Sequence, residues 1–143
     1  MFRAIFLTLF LCLSSWVHAE TSGNPVGFWQ LADKSGKPVL IIRIFPVGKT
    51  LSAKILQYYP NANARCTACK DALKDTPVRG LTFIKGLVRK SGDTWSDGKI
   101  LNPETGKEAK VTLTISADGS QLKINSYRFL SWFGSTDIWT RRK

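Results

Sequence analysis

From Val26 onward, clusters of turn-forming residues interrupt the chain at nearly regular spacing: Asp33-Lys34-Ser35-Gly36, Val47-Gly48-Lys49, Ser91-Gly92-Asp93, Asn102-Pro103-Glu104-Thr105-Gly106 and Ala117-Asp118-Gly119. The stretches between them favour β-branched and aromatic residues, and none shows a long helical period. The spacing predicts eight strands, at 26–32, 38–46, 50–58, 81–90, 94–101, 107–116, 121–129 and 136–142. No helical segment is available for parallel crossovers, so the strands form an antiparallel meander. Rolling that meander shut removes its two exposed edges. The predicted fold is therefore all-β, an eight-stranded antiparallel up-and-down barrel, wide enough to be filled by its own side chains or to hold one small ligand.

Alternation supports the strand reading. In Ala109-Lys110-Val111-Thr112-Leu113-Thr114-Ile115-Ser116 the odd positions are apolar and the even ones polar, which places the odd face inward. Leu51 to Ile55 and the pair Leu122 and Ile124 repeat the pattern, and Leu40, Ile42 and Ile44 share one face of a more apolar strand.

The first residues belong to a different kind of segment. Arg3 precedes an apolar run from Ala4 to Leu13, then Ser14-Ser15-Trp16 and Val17-His18-Ala19, which is the layout of a secretory signal peptide with cleavage near Ala19. A membrane-spanning helix needs about 20 apolar residues, more than this run supplies. Residues 1–19 are assigned to the signal and 20–143 to one β-barrel domain, placed in the periplasm or secreted. Cleavage would remove His18, the chain's single histidine, and Cys12, one of its three cysteines. It would also remove Arg3, leaving a charge one unit below the +11 of the whole chain. Such an excess of cations bears on partners and solubility rather than on fold.

One connection breaks the rhythm. Residues 59–80 form a loop long enough to be a functional cover, with one helical turn or two expected between Cys69 and Asp75. It carries Cys66-Thr67-Ala68-Cys69, a spacing that serves disulfide exchange, metal binding or a local staple. No βαβ unit surrounds the motif, as thioredoxin-type redox sites require, and no further cysteine or histidine survives signal removal to complete a zinc tetrahedron. The flanking Arg65 and Lys70 would favour a thiolate and keep the redox reading open. The staple reading, a Cys66–Cys69 disulfide that pins the loop, requires a tight turn. Residues three apart in an extended chain lie roughly 10 Å from end to end, against about 5.5 Å between disulfide α-carbons.

Gly27-Phe28-Trp29 near the start and Trp139-Thr140-Arg141 near the end resemble the lipocalin arrangement, in which a first-strand Gly-x-Trp is crossed by an arginine from the final strand. That resemblance gives Gly27, Trp29 and Arg141 a structural, barrel-closing role, with cation–π energy on the order of 1 kcal/mol between guanidinium and indole. Over nearly the whole chain, the order of Gly27-Phe28-Trp29, Cys66-x-x-Cys69, Gly80-Leu81-Thr82, Trp95, Gly98 to Lys107, Phe133-Gly134 and Trp139-Thr140-Arg141 resembles the bacterial domain-of-unknown-function family 2147. The resemblance implies an exported, lipocalin-like barrel and no known reaction. Asn102, Ala109, Asn125-Ser126 and Ser135 depart from that family's usual residues and cluster in the second half.

Charged residues read first as surface. Lys54, Arg89, Lys110 and Lys123 alternate away from the apolar face and blunt edge pairing, with an anionic membrane surface as the sharper alternative partner. Nucleic acid is not expected, because an OB-fold that presents basic and aromatic residues has five strands. Arg43, Lys85, Asp97 and Lys99 have ambiguous facing; Asp97 and Lys99 share a face with Trp95 and Leu101 and would form an inward polar pair or point to solvent. The carboxylates fall mostly in turns, there is no histidine base, and no metal or cofactor is called for, so no enzyme is expected. The sequence leads to an exported binder of a small apolar or amphipathic ligand, with Tyr58, Trp95, Tyr127 and Phe129 as wall residues. The alternative is a packed barrel acting through its basic exterior.

Overall fold

The structure is a computed structural model that describes residues 23–126 and 138–143. Eight strands follow one another: β1 (Gly27–Ala32), β2 (Pro38–Val47), β3 (Thr50–Tyr58), β4 (Thr82–Arg89), β5 (Thr94–Leu101), β6 (Glu108–Ile115), β7 (Gln121–Ser126) and β8 (Ile138–Arg142). Each pairs antiparallel with its neighbours in sequence, and β1 pairs with β8 through Phe28↔Arg142, Trp29↔Arg141 and Gln30↔Thr140, so the sheet closes into a barrel. The eight predicted strands are all present within a few residues of their expected bounds. The predicted helical segment of the long loop is one 3-10 turn, Asp71–Leu73. The signal at 1–19, the Phe133-Gly134 signature, Tyr127 and Phe129 lie outside the described residues.

Burial follows the pleat. Trp29 and Leu31 on β1, Leu40, Ile42 and Ile44 on β2, Ala53 and Ile55 on β3, Leu113 on β6 and Leu122 on β7 are all completely buried. Their neighbours Phe28, Arg43, Lys54, Lys110 and Lys123 stand outside or half outside. Fully burying a side chain such as Leu or Ile is worth roughly 1.5–3 kcal/mol each, so this inner layer is what holds the cylinder together.

The alternation is broken where the ladder slips. Between Trp95 and Gly98 the β5–β6 register shifts, and Asp97 takes a left-handed φ of 62°. An extra residue at a bulge turns the following side chains to the opposite face. Trp95 is therefore inside with Leu113, while Asp97 and Lys99 point to solvent, and Asp97 pairs with Lys90 at 2.5 Å. The expected sharing of one face by Trp95, Asp97 and Lys99 fails for this reason, and of the two alternatives considered for the pair, solvent is the one that holds.

Up-and-down order sorts the connections into two ends. One end carries the start of β1, the β2–β3, β4–β5 and β6–β7 turns and the close of β8. The other carries the β1–β2 turn, the long loop of residues 59–80 and the β5–β6 turn. Among the described residues no helix is long and apolar enough to cross a membrane.

Candidate functional site

At the first end, the chain's two extremities are tied by one guanidinium. Arg141 lies 4.4 Å from the Trp29 ring centroid. Its Nη1 donates to the Val26 carbonyl at 3.0 Å, its Nη2 to Asn24 at 2.5 Å and its Nε to Gly119 at 2.8 Å. Trp29 donates its indole N–H to the Pro25 carbonyl at 2.8 Å. Gly27 is required here twice over: its φ is 137°, and a Cβ would stand 2.9 Å from Arg141 Nη1. The Gly27, Trp29 and Arg141 constellation is thus assembled, and the planar fork of arginine matches three carbonyls that a lysine could not reach together.

The β6–β7 turn beside it is stiffened by Asp118. Its Oδ1 accepts from Ser116 Oγ at 2.7 Å, from Ser120 Oγ at 2.8 Å and from the Ser120 amide at 3.0 Å. These donors, the Ser116 hydroxyl foremost, lower the Asp118 carboxyl from 3.8 to about 2. Asp33 in the β1–β2 turn is lowered in the same sense, first by the Ser35 hydroxyl.

At the opposite end, the long loop is built from its own backbone. Cys66 and Cys69 are joined by a disulfide with their α-carbons 5.3 Å apart. The Cys66 amide donates to Thr76 at 2.8 Å and its carbonyl accepts from Cys69 and Asp75, while Val78 donates to Ala64 at 2.9 Å. Both cysteines are buried, Cys66 completely, so the sulfurs are shielded from an approaching thiol. Among the described residues no group of three or more His, Cys, Asp or Glu side chains could hold a metal ion.

The loop is pressed onto the β5–β6 turn rather than projecting from the barrel. A Cβ at Gly106 would meet the Ala68 carbonyl oxygen, and Cys66 Sγ lies 3.5 Å from the Pro103 oxygen. Asn102, buried at this contact, accepts the Glu104 amide through Oδ1 at 2.8 Å. An amide oxygen is sufficient to cap this turn, because only its acceptor is used. Leu73 from the loop joins Phe83 and Leu101 around a cavity of about 290 Å³ rimmed by Lys85, Lys99 and Glu108. Sequence reasoning missed Leu73, Phe83, Leu101 and Gly106, because their association depends on how the loop lies and not on local pattern.

Of the four wall candidates, the two that are described, Tyr58 and Trp95, lie at opposite ends of the barrel. Tyr58 closes β3 at the loop end, where its hydroxyl donates to Glu104 Oε1 at 3.3 Å. Trp95 opens β5 at the other end, with the Arg89 guanidinium 5.5 Å from its ring centroid. Tyr127 and Phe129 are outside the described residues.

A family model described as an uncharacterised protein conserved in bacteria, DUF2147, matches residues 27–141. Among solved structures, protein HP1028 from the human pathogen Helicobacter pylori, described as belonging to the lipocalin family, is similar with a TM-score of 0.68 and 18% identity, over 85% of this chain and 84% of its own. At that identity the likeness shows a lipocalin-like fold and nothing of the ligand. No curated protein matches the chain.

Proposed function

Since the chain belongs to the bacterial family DUF2147, matched from residue 27 to 141, we propose that it is an exported, non-enzymatic barrel of the cell envelope that takes a small apolar or amphipathic molecule at its loop end. The observation that carries the reading is the inequality of the two ends. One is closed by the Arg141 fork on the carbonyls of Asn24, Val26 and Gly119. The other is covered by a clipped loop whose Leu73 lines open space beside Phe83 and Leu101, rimmed by Lys85, Asp97, Lys99 and Glu108. Pockets that take small ligands are mostly apolar with a few placed polar groups, and Thr82 and Glu108 supply such groups there. Cys66–Cys69 acts as the loop's staple.

The test is titration of the purified protein with a fluorescent apolar probe, followed by displacement with long-chain fatty acids. Saturable binding at one site is expected, weakened about fivefold to tenfold by Leu73→Ser and little changed by Trp95→Ala. Uptake with no saturation, or equal loss in both variants, overturns the loop-end site. The complete burial of the described inner side chains favours a second reading, a filled barrel that acts through its outer surface; absence of any uptake selects it.

A further inference from the structure

The outer surface of the barrel is divided by charge. Six neighbouring strands, β7, β8, β1, β2, β3 and β4, contain no Asp or Glu, whereas β5 and β6 carry Asp97 and Glu108. Within the acid-free strands, the pairing register sets Arg142 beside Phe28, Phe28 beside Arg43, and Arg43 beside Lys54. With strands about 4.8 Å apart, this row crosses the barrel wall over roughly 14 Å. Phe28 is 46% exposed. The Arg43 guanidinium lies 5.8 Å from the Phe28 ring centroid, and the Lys54 ammonium 5.9 Å from that of Phe45, one pleat further along β2. Among the described residues the one ion pair, Lys90–Asp97, is on the other side of the barrel.

This arrangement works against folding. Like charges directly opposite on neighbouring strands destabilise a sheet, and Arg43 faces Lys54. In an open sheet such cations guard an exposed edge, but β1 and β8 are paired and no edge is left to guard. An exposed phenylalanine at the centre of a cationic row adds a second unfavourable element. Both are relieved by one kind of surface: a layer of anionic headgroups, where basic side chains meet phosphate and an aromatic ring sits between water and hydrocarbon. A second row, Lys85, Lys99 and Lys110, crosses β4 to β6, but Asp97 and Glu108 share those strands and no exposed aromatic side chain interleaves it.

We propose that the β8–β1–β2–β3 face docks on an anionic lipid bilayer, with Arg142, Arg43 and Lys54 on the headgroup phosphates and Phe28 and Phe45 seated among them. A nucleic-acid strand fits less well, because single strands are tracked by a groove and this face is the convex outside of a cylinder. The inference stands whether or not the loop end takes a ligand.

The test is co-sedimentation of the full chain with phosphatidylcholine vesicles, with and without phosphatidylglycerol. Binding is expected only to the anionic vesicles and is expected to fall with salt. Each basic side chain near such a surface contributes about fivefold, so R43Q/K54Q/R142Q should bind about a hundredfold more weakly. K107Q/K110Q/K123Q removes the same charge from β6, β7 and the turn before them and should stay within about fivefold of the parent. The two variants keep the same N-terminal apolar run, so its contribution cancels. Phe28→Ser, which changes no charge, should weaken binding severalfold and carries the test if the first triple variant does not fold. Equal losses in the two triple variants would mean that net charge alone drives association, and the assigned face would be wrong. So would a loss confined to binding of a single-stranded oligonucleotide.

Discussion

The two ends of the barrel are held by opposite strategies. At the sealed end, one side chain joins residues more than a hundred positions apart: Arg141 reaches the carbonyls of Asn24 and Val26. At the loop end, the disulfide spans a separation of three and the backbone hydrogen bonds around it stay within the loop, which is then seated on Pro103 and Gly106 of the β5–β6 turn. A contact between the two extremities closes the cylinder, whereas the cover is shaped within itself and laid onto a neighbouring turn. The division explains how one architecture keeps a fixed scaffold under a variable site.

The sharpest way to break this contrast is Arg141→Ala. It leaves three carbonyls without their charged donor and uncovers the Trp29 ring, so urea unfolding should show a loss of about 3 kcal/mol, with Arg141→Lys recovering part of it. If the alanine variant is as stable as the parent, the sealed end is not what closes the barrel.

Replacing Cys66 and Cys69 together by alanine should cost less, about 2 kcal/mol for so small a ring. Hydrogen exchange should rise at Cys66, Asp75 and Val78 and remain unchanged at Trp29 and Arg141. A uniform rise would show the two ends to be one cooperative unit.

The smallest effect expected is acidic. Asp118 is lowered to about 2 in the folded chain, below its unfolded value of roughly 3.9. Its contribution is therefore fully present above pH 4 or so and is lost as pH falls through about 2. Stability measured over that window should decline less steeply in Ser116→Ala/Ser120→Ala, and an unchanged slope would remove the turn from the account of the sealed end.

Much of this architecture was legible in the residues. The turn clusters and the odd-even alternation in Ala109 to Ser116 located the strands, and Gly27, Trp29 and Arg141 pointed to one another from opposite ends of the chain. Strand direction alone also implies that Tyr58, closing an odd-numbered strand, and Trp95, opening another, belong to opposite ends. The bulge at Asp97 was hidden because a single extra residue reverses facing without any change in composition. The contact of Ala68 with Gly106 was hidden because nothing local records where a long loop comes to rest. The row from Arg142 to Lys54 needed register as well as facing, since its members come from four separate stretches of sequence.

Because Asn24 and Val26 must wait for Arg141, the ring of strands cannot be sealed while a growing chain still lacks its final strand. Until then β1 and β7 stand with unpaired backbones, and this is the interval in which the molecule is most open to wrong partners. Whatever escorts such a chain would have to shield those two ribbons and could let go once the eighth arrives.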